Sequence, residues 1–516
     1  MKIRILCTAM TLAIALNGFG QGEMDAYRFA RNDLFGTARG VSMAGAFGAL
    51  GGDITGVAQN PAGIGVYRSS EFTTTLDFTS TDIETNTKGI TSSESKFNFH
   101  FGNVAYMGYI PLSGEVKSFN FGFSYNRIKN LDRNYSMNGK DLPTSIADYI
   151  ATTTYGTRLK DLKSKNAYSN CPWLGVLGYD TYMINPVSEN DDNYEYERGF
   201  FNGETVNNSL SVSERGTVES YDFSLGTNFS DKFYIGATFS ITDLHYELSS
   251  FYSETPAEGG FLDLKNYLTT DGNGYQFSIG AIYRPLDELR LGVAYHSPTW
   301  YNMTDYYYAD AEASLEEGGA SAGTPDDPPF DYKYRTPDRW VASAAVILGT
   351  KAIFSIDYEY SDYSKMNLKD QDGFNLDNNP DYNPNTYISQ DYKSASTLRA
   401  GLEYRATPQA SIRVGYAWMQ SPLEDDFKEG RVQVQTVGTI PQYTLEGDAN
   451  YFTWGGGYKF TPNFYMDIAF AYKWEEDKLY AFSPIIENNG NVILNSTPSK
   501  FKNNTFRGLL TLGYKF

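Results

Sequence analysis

Cysteine is almost missing: the 516 residues hold two, Cys7 and Cys171. Cys7 lies in a short leader, too early to carry a lipid, so the exported chain keeps Cys171 alone. A lone loop thiol excludes a disulfide framework. Histidine is equally scarce, with only His100, His245 and His296. No His-Glu-x-x-His spacing and no Ser/His/acid grouping accompanies them, so the sequence is read as no enzyme, with no metal and no cofactor. Nothing approaches about 20 continuous apolar residues, which excludes membrane-spanning helices. The charge balance, 62 acidic against 42 basic side chains, excludes a nucleic-acid surface, which needs positive potential. No Pro/Ser-rich linker or break in composition separates one strand region from the next.

What the chain does have is aromatic residues, 16% of the total and led by 42 Tyr and 33 Phe. It also has a rhythm. About fourteen stretches of alternating apolar and polar residues run from Glu71 to Phe516. The gaps between them are short at 111–117, 229–232, 284–288, 349–351, 405–409 and 460–463. They are long at 80–96, 130–215, 249–271, 301–335, 364–392, 421–448 and 475–503. A chain that crosses a slab repeatedly, turning tightly on one side and loosely on the other, gives this pattern. The fold class expected is all-β: a 14-stranded antiparallel transmembrane β-barrel. In the last strand Phe506, Leu510, Leu512, Tyr514 and Phe516 share the face expected toward lipid, and Arg507, Thr511, Gly513 and Lys515 share the lumen face. By the same parity both charge signs point inward, Asp77, Asp222, Asp357, Glu359, Glu403 and Asp467 against Arg290, Arg339, Arg399, Arg413, Lys473 and Arg507.

The ends fit an exported barrel. Residues 1–20 carry Lys2 and Arg4, an apolar run from Ile5 to Leu16, and small residues at Gly18 and Gly20. That is a signal peptide. Residues 21–68 do not alternate. Small residues dominate from Ala38 to Asp53, and Asn60-Pro61-Ala62-Gly63 follows. Such a segment bends easily and packs closely, and the apolar residues among its glycines favour burial. The domain plan is therefore a signal peptide over 1–20, an N-terminal hatch over 21–68 inside the lumen, and a barrel over 69–516 with its largest extracellular loop at 130–215.

The arrangement Ala-Arg-Gly…Ala-Gly-Ala-Phe…Asp…Asn-Pro-Ala-Gly, from Arg39 through Gly63, resembles the hatch of the FadL/TodX outer-membrane transporters. Gly292 to Pro298 and Thr336 to Trp340 are similar to later stretches of that family. The resemblance implies a monomeric fourteen-stranded barrel, plugged by its own N-terminus, for passive uptake of long-chain fatty acids or other hydrophobic compounds. It implies capture between external loops, transfer to a site beside the hatch, and release when the hatch or wall shifts. Candidates for the substrate pathway are Phe47, Leu50, Asn60, Pro61 and Ile64. An external capture loop is sought at Trp173, Leu174, Leu177, Tyr179 and Met183, where loop packing is the plainer role. Arg399 and Arg413 are candidates for a cargo carboxylate or for pairing between plug and wall.

Expected partners are a hydrophobic small molecule, outer-membrane lipid and lipopolysaccharide, and the barrel-assembly machinery during biogenesis. No nucleic acid is expected, and the location is the outer membrane of a Gram-negative bacterium. The alternatives are a haem or hydrophobic-ligand receptor using His100 or His296, a non-specific porin, or a surface adhesin. Acidic loops at 189–197 and 305–331 show no regular calcium-ligand spacing.

Overall fold

Alternation becomes a wall because successive side chains of a strand point to opposite faces. The computed structural model of the chain describes residues 22–315, 318–326, 329–376, 383–436, 438–486 and 490–516; the expected signal peptide lies outside the described residues. Fourteen antiparallel strands form the wall: β1 (Glu71–Thr87), β2 (Ile90–Pro111), β3 (Val116–Asn130), β4 (Val206–Phe229), β5 (Phe233–Pro256), β6 (Phe261–Tyr283), β7 (Leu289–His296), β8 (Arg339–Leu348), β9 (Ala352–Asp362), β10 (Ser394–Arg405), β11 (Ala410–Met419), β12 (Ala449–Lys459), β13 (Phe464–Tyr480) and β14 (Ser499–Lys515). Each pairs with the next, and β1 pairs with β14 from Glu71↔Lys515 to Asn86↔Lys500, which closes the cylinder. Closure leaves no open sheet edge in lipid.

Face parity follows the expectation. On β14, Phe506, Leu512, Tyr514 and Phe516 are exposed on the outside while Thr511 and Leu509 are buried. On β4 to β6 the outward belt runs through Phe223, Leu225, Ile235, Ile241, Phe277 and Ile279, then turns polar at Glu219, Asp243 and Asp271. That change marks the outer edge of the hydrocarbon layer. The periplasmic rim carries clustered rings, with Phe460 5.6 Å from Phe464 and Tyr106 stacked on Phe516 at 6.0 Å. Interfacial aromatic residues hold a barrel at its depth in the membrane.

Several expected loops are strands. The gap at 80–96 is a hairpin: β1 and β2 stay in register to Thr87↔Ile90 around the turn at Lys88 and Gly89. Likewise β5 and β6 run together to Glu254↔Leu262 across the 249–271 gap. Trp300–Leu315 continues the line of β7 against β6, and Phe330–Arg335 returns along it into β8. The physical reason is that outward residues above the lipid are polar, so hydropathy falls while the hydrogen-bonded ladder continues. The 130–215 segment is a mixture: Arg133–Leu142 pairs with β4, and helices Ile146–Thr154 and Trp173–Asp180 build a cap above it.

That cap is pinned by a buried carboxyl. Glu254, at the outer tip of β5, accepts from the Ile146 N–H at 2.9 Å and pairs with the Ser145 and Tyr252 hydroxyls. Burial outweighs these hydrogen bonds and pushes its pKa up to about 7. The folded state therefore favours the protonated form. Its contribution is full below the ordinary carboxyl range near pH 4.5 and is lost as pH rises through about 7. Resistance of the cap to protease in outer-membrane vesicles is accordingly expected to fall between pH 5 and pH 8. Glu254→Gln, which mimics the neutral form, should flatten that profile.

Candidate functional site

The amino-terminal segment runs through the bore. Its first helix, α1 (Glu23–Ala30), lies at the outer end. There Tyr392 and Tyr334 donate their hydroxyls to the Glu23 and Ala26 carbonyls, and Phe29 meets Tyr246 edge-on at 5.7 Å. The strap that follows, residues 31–36, is held by charge. Arg31 pairs with Glu446 and Glu475, and Tyr451 donates to Asp33 at 2.7 Å. Below it, Thr37 caps α2 (Ala38–Ser42) by accepting from the Gly40 N–H, and Asp53 caps α3 (Ile54–Gln59) by accepting from Thr55 N–H. A 3₁₀ turn, Pro61–Val66, leads to Arg68, which pairs with Asp231 beside a short turn at the periplasmic end.

The wall is built to receive this backbone. Gly226, Gly236 and Gly280 stand opposite one another across β4, β5 and β6. A Cβ on Gly236 would sit 2.2 Å from the Pro61 carbonyl oxygen, and one on Gly280 would sit 1.9 Å from Asn60 Oδ1. Glycine is required here for close approach. Asn60 uses the space fully. Its amide donates to the Gly48 carbonyl at 2.7 Å and to the Ala281 carbonyl at 3.2 Å, while its oxygen accepts from Ala62 N–H at 3.1 Å. Across the bore, Gly48 N–H donates to Asp357 at 2.8 Å, Ala38 N–H donates to Thr511 at 2.7 Å, and Thr453 donates to the Ser42 carbonyl at 3.1 Å. The segment is thus tied to strands on both sides of the cylinder.

The inward charges pair with one another and with this segment. Glu403 lies between Arg39 of the segment at 2.9 Å and Arg413 of the wall at 2.6 Å, and Arg413 reaches on to Asp467 at 2.5 Å. Arg399 pairs with Glu359 at 2.9 Å, and Arg507 with Asp77. Buried guanidiniums of this kind need such partners to offset lost hydration. Arg399 and Arg413 are therefore placed in ion pairs with the barrel wall.

Two chambers adjoin the strap, and Arg31, Asn32, Asp33 and Phe35 border both. The first, about 120 Å³, is lined by Arg28, Arg127, Lys129, Arg133, Lys473 and Arg507 together with Glu214, Glu446 and His100. The second, about 110 Å³, has the apolar residues Phe29, Ile54 and Val57 on one side and hydroxyls of β4 to β6 on the other.

The pathway candidates lie deeper than these chambers and border neither. Phe47 and Leu50 pack with Met43 and Ala345, Ile64 packs with Val57 and Met107, and Asn60 and Pro61 form the clip already described. In the cap, Trp173, Leu174, Leu177 and Met183 are buried, and Tyr179 is half-buried. Except for Trp173, all of them join one apolar cluster or its margin. His296 has both ring nitrogens engaged, with Ser278 at 2.8 Å and the Gln59 carbonyl at 3.1 Å, so it offers none to a haem iron. His100 borders the first chamber beside Asp77 at 3.6 Å. The glycine row, the strap pairs and the chamber hydroxyls escaped the sequence reading. The recurring Ser-Leu-Gly-Thr, Tyr-Ile-Gly-Ala and Ser-Ile-Gly-Ala strings of β4 to β6 were the available signal.

A lipid-facing cylinder whose bore is occupied by its own chain, with chambers beside that chain, defines an outer-membrane transport barrel. The profile of the outer membrane protein transport protein family (OMPP1/FadL/TodX) matches residues 205–491, and the chain belongs to that family. It is similar to the 47 kDa outer membrane protein of Pasteurella multocida, 24% identical over 40% of this chain and 44% of the relative. It is also similar to outer membrane protein P1 of Haemophilus influenzae, 23% identical over 66% of this chain and 74% of the relative. Its fold is shared with a Pseudomonas aeruginosa FadL homologue, with a TM-score of 0.53 at 15% identity over 94% of this chain and 99% of that one. The Pseudomonas putida toluene transporter TodX gives 0.52 at 13% identity over the same shares. The protein resides in the outer membrane.

Proposed function

We propose that the protein carries hydrophobic, fatty-acid-like small molecules passively inward, with residues 22–68 as a movable hatch. The observation that carries this reading is the way those residues occupy the bore, tied to opposite walls, with chambers beside the strap that border both hatch and wall. An open porin has no use for such a filling. Cargo would meet the outer cap, enter beside the strap, and pass when the clip at Asn60 or the Arg39–Glu403 pair lets go. The strap joins α1, embedded in the cap core, to α2, so movement of the cap pulls on the hatch directly. Arg399 and Arg413 are paired with the wall and border neither chamber; the first chamber, where basic side chains outnumber acidic ones, is the better place for a cargo carboxylate. An apolar tail gains about 25 cal/mol per Å² buried against Phe29, Phe35 and the hatch. We take the protein to act as a monomer, inserted by the assembly machinery and surrounded outside by lipopolysaccharide.

The test is uptake of radiolabelled oleate into proteoliposomes holding the purified protein. Transfer above that of protein-free vesicles, saturating with oleate, is expected. No transfer, in protein whose heat-modifiable gel shift shows a folded barrel, overturns the reading.

A further inference from the structure

The second chamber has a wall of unusual regularity. Ser220, Asp222 and Ser224 on β4 stand opposite Thr242, Ser240 and Thr238 on β5. These in turn stand opposite Gly274, Gln276 and Ser278 on β6. Strand parity sends all of them inward, so the side chains form a three-by-three grid. Its points are about 5 Å apart across the strands and about 7 Å apart along them. Every member except Gly274 borders the chamber.

Four of the grid's side chains bond to one another, and a fifth is held from outside it. Asp222 accepts from Ser220 at 2.5 Å and from Asn126 at 2.8 Å, Ser224 and Thr238 share a bond of 2.8 Å, and Ser278 is held by His296. The centre is different. Ser240 enters none of these bonds and borders the chamber. Gln276 donates its amide to Ser297 O at 2.9 Å and Thr299 at 3.2 Å, which leaves its carbonyl oxygen for the chamber. Facing this polar centre, the hatch presents Phe35, Ile54, Val57 and Ala58. The chamber sets this apolar face against the hydrogen-bonding grid, and Arg31, Asn32 and Asp33 of the strap also line it.

A plain hydrocarbon suits only half of such a space, because it would leave the grid centre dry and unpaired, at a cost in binding. A molecule with hydroxyl groups along one side satisfies both halves. We propose that Ser240 and Gln276 select hydroxylated amphiphiles, chains or rings with an oxygenated edge, over unsubstituted hydrocarbon cargo. This rests on the uptake reading above and narrows it to a substrate class.

Oleate and its 12-hydroxy analogue ricinoleate separate the two ideas. Equilibrium binding to the full chain in nanodiscs, corrected with empty nanodiscs, should favour ricinoleate about tenfold, the worth of about one well-made hydrogen bond. Ser240→Ala should bring the ratio close to one, and Ser240→Ala with Gln276→Leu should reverse it in favour of oleate. Oleate bound as well as ricinoleate, or a preference that survives both changes, overturns the selection while leaving uptake standing. Binding of neither fatty acid sinks the uptake reading, and the selection goes with it.

Discussion

Removing residues 22–68 is expected to turn a quiet barrel into a steadily conducting pore. Residues 1–21 and β1 would be kept, so closure of the wall proceeds as before. Fourteen strands enclose a bore wide enough to hold three short helices and a 3₁₀ turn, and without them water fills that space. The freed wall is polar: Thr453, Thr511, Glu403 and Asp357 line it, and all are buried and bonded to the segment in the intact chain. Planar-bilayer recordings should show long-lived openings with conductance proportional to salt, while the intact protein shows none or brief events. A conductance unchanged by the deletion, in protein that still inserts, contradicts a hatch.

The second large effect concerns Arg413. It is 6% exposed and is the one salt-bridge partner of Asp467 among the described residues, and it shares Glu403 with Arg39. Arg413→Ala leaves Asp467 buried and unpaired, which typically costs about 3–5 kcal/mol. Lysine is a poor substitute, since a single ammonium does not reproduce the two-directional reach of a guanidinium. Replacing Arg413 and Asp467 together with apolar residues removes the orphaned charge and should recover much of the loss. Urea unfolding from lipid vesicles, followed by tryptophan emission, measures all three variants. A loss under about 1 kcal/mol for Arg413→Ala contradicts a shared buried network.

Strand number, face parity and the non-alternating segment were legible because each is local: a period of two is written in the neighbours of every residue. Pairing was not. Asp77, Glu403, Arg413 and Arg507 were all recognisable as inward charges, but which touches which depends on register and on closure between β1 and β14. Loop ends were misread for a related reason. Thr85 and Thr87 continue an inward face that hydropathy does not see, because Glu84 and Asn86 face water above the lipid. The glycine row illustrates the hardest case. Gly226, Gly236 and Gly280 are 54 residues apart from first to last in sequence and become one groove only when three strands align. Phe47, Leu50 and Ile64 stand out as apolar residues among glycines, and that property also describes residues that simply pack the segment against its wall.

A reversible lock tests the central claim most directly. A Cβ built on Gly48 lies 3.0 Å from Ser343 Cβ, about 0.5 Å short of the range of about 3.5–4.5 Å spanned by a disulfide, so a small outward shift brings the pair into bonding geometry. Gly48→Cys with Ser343→Cys, in a Cys171→Ala background, should therefore cross-link on mild oxidation. Oleate uptake into proteoliposomes should then fall to the protein-free level and return on reduction. A pair that never bridges would place the segment elsewhere, and a bridged protein that transports at the full rate would show that cargo passes without the segment moving.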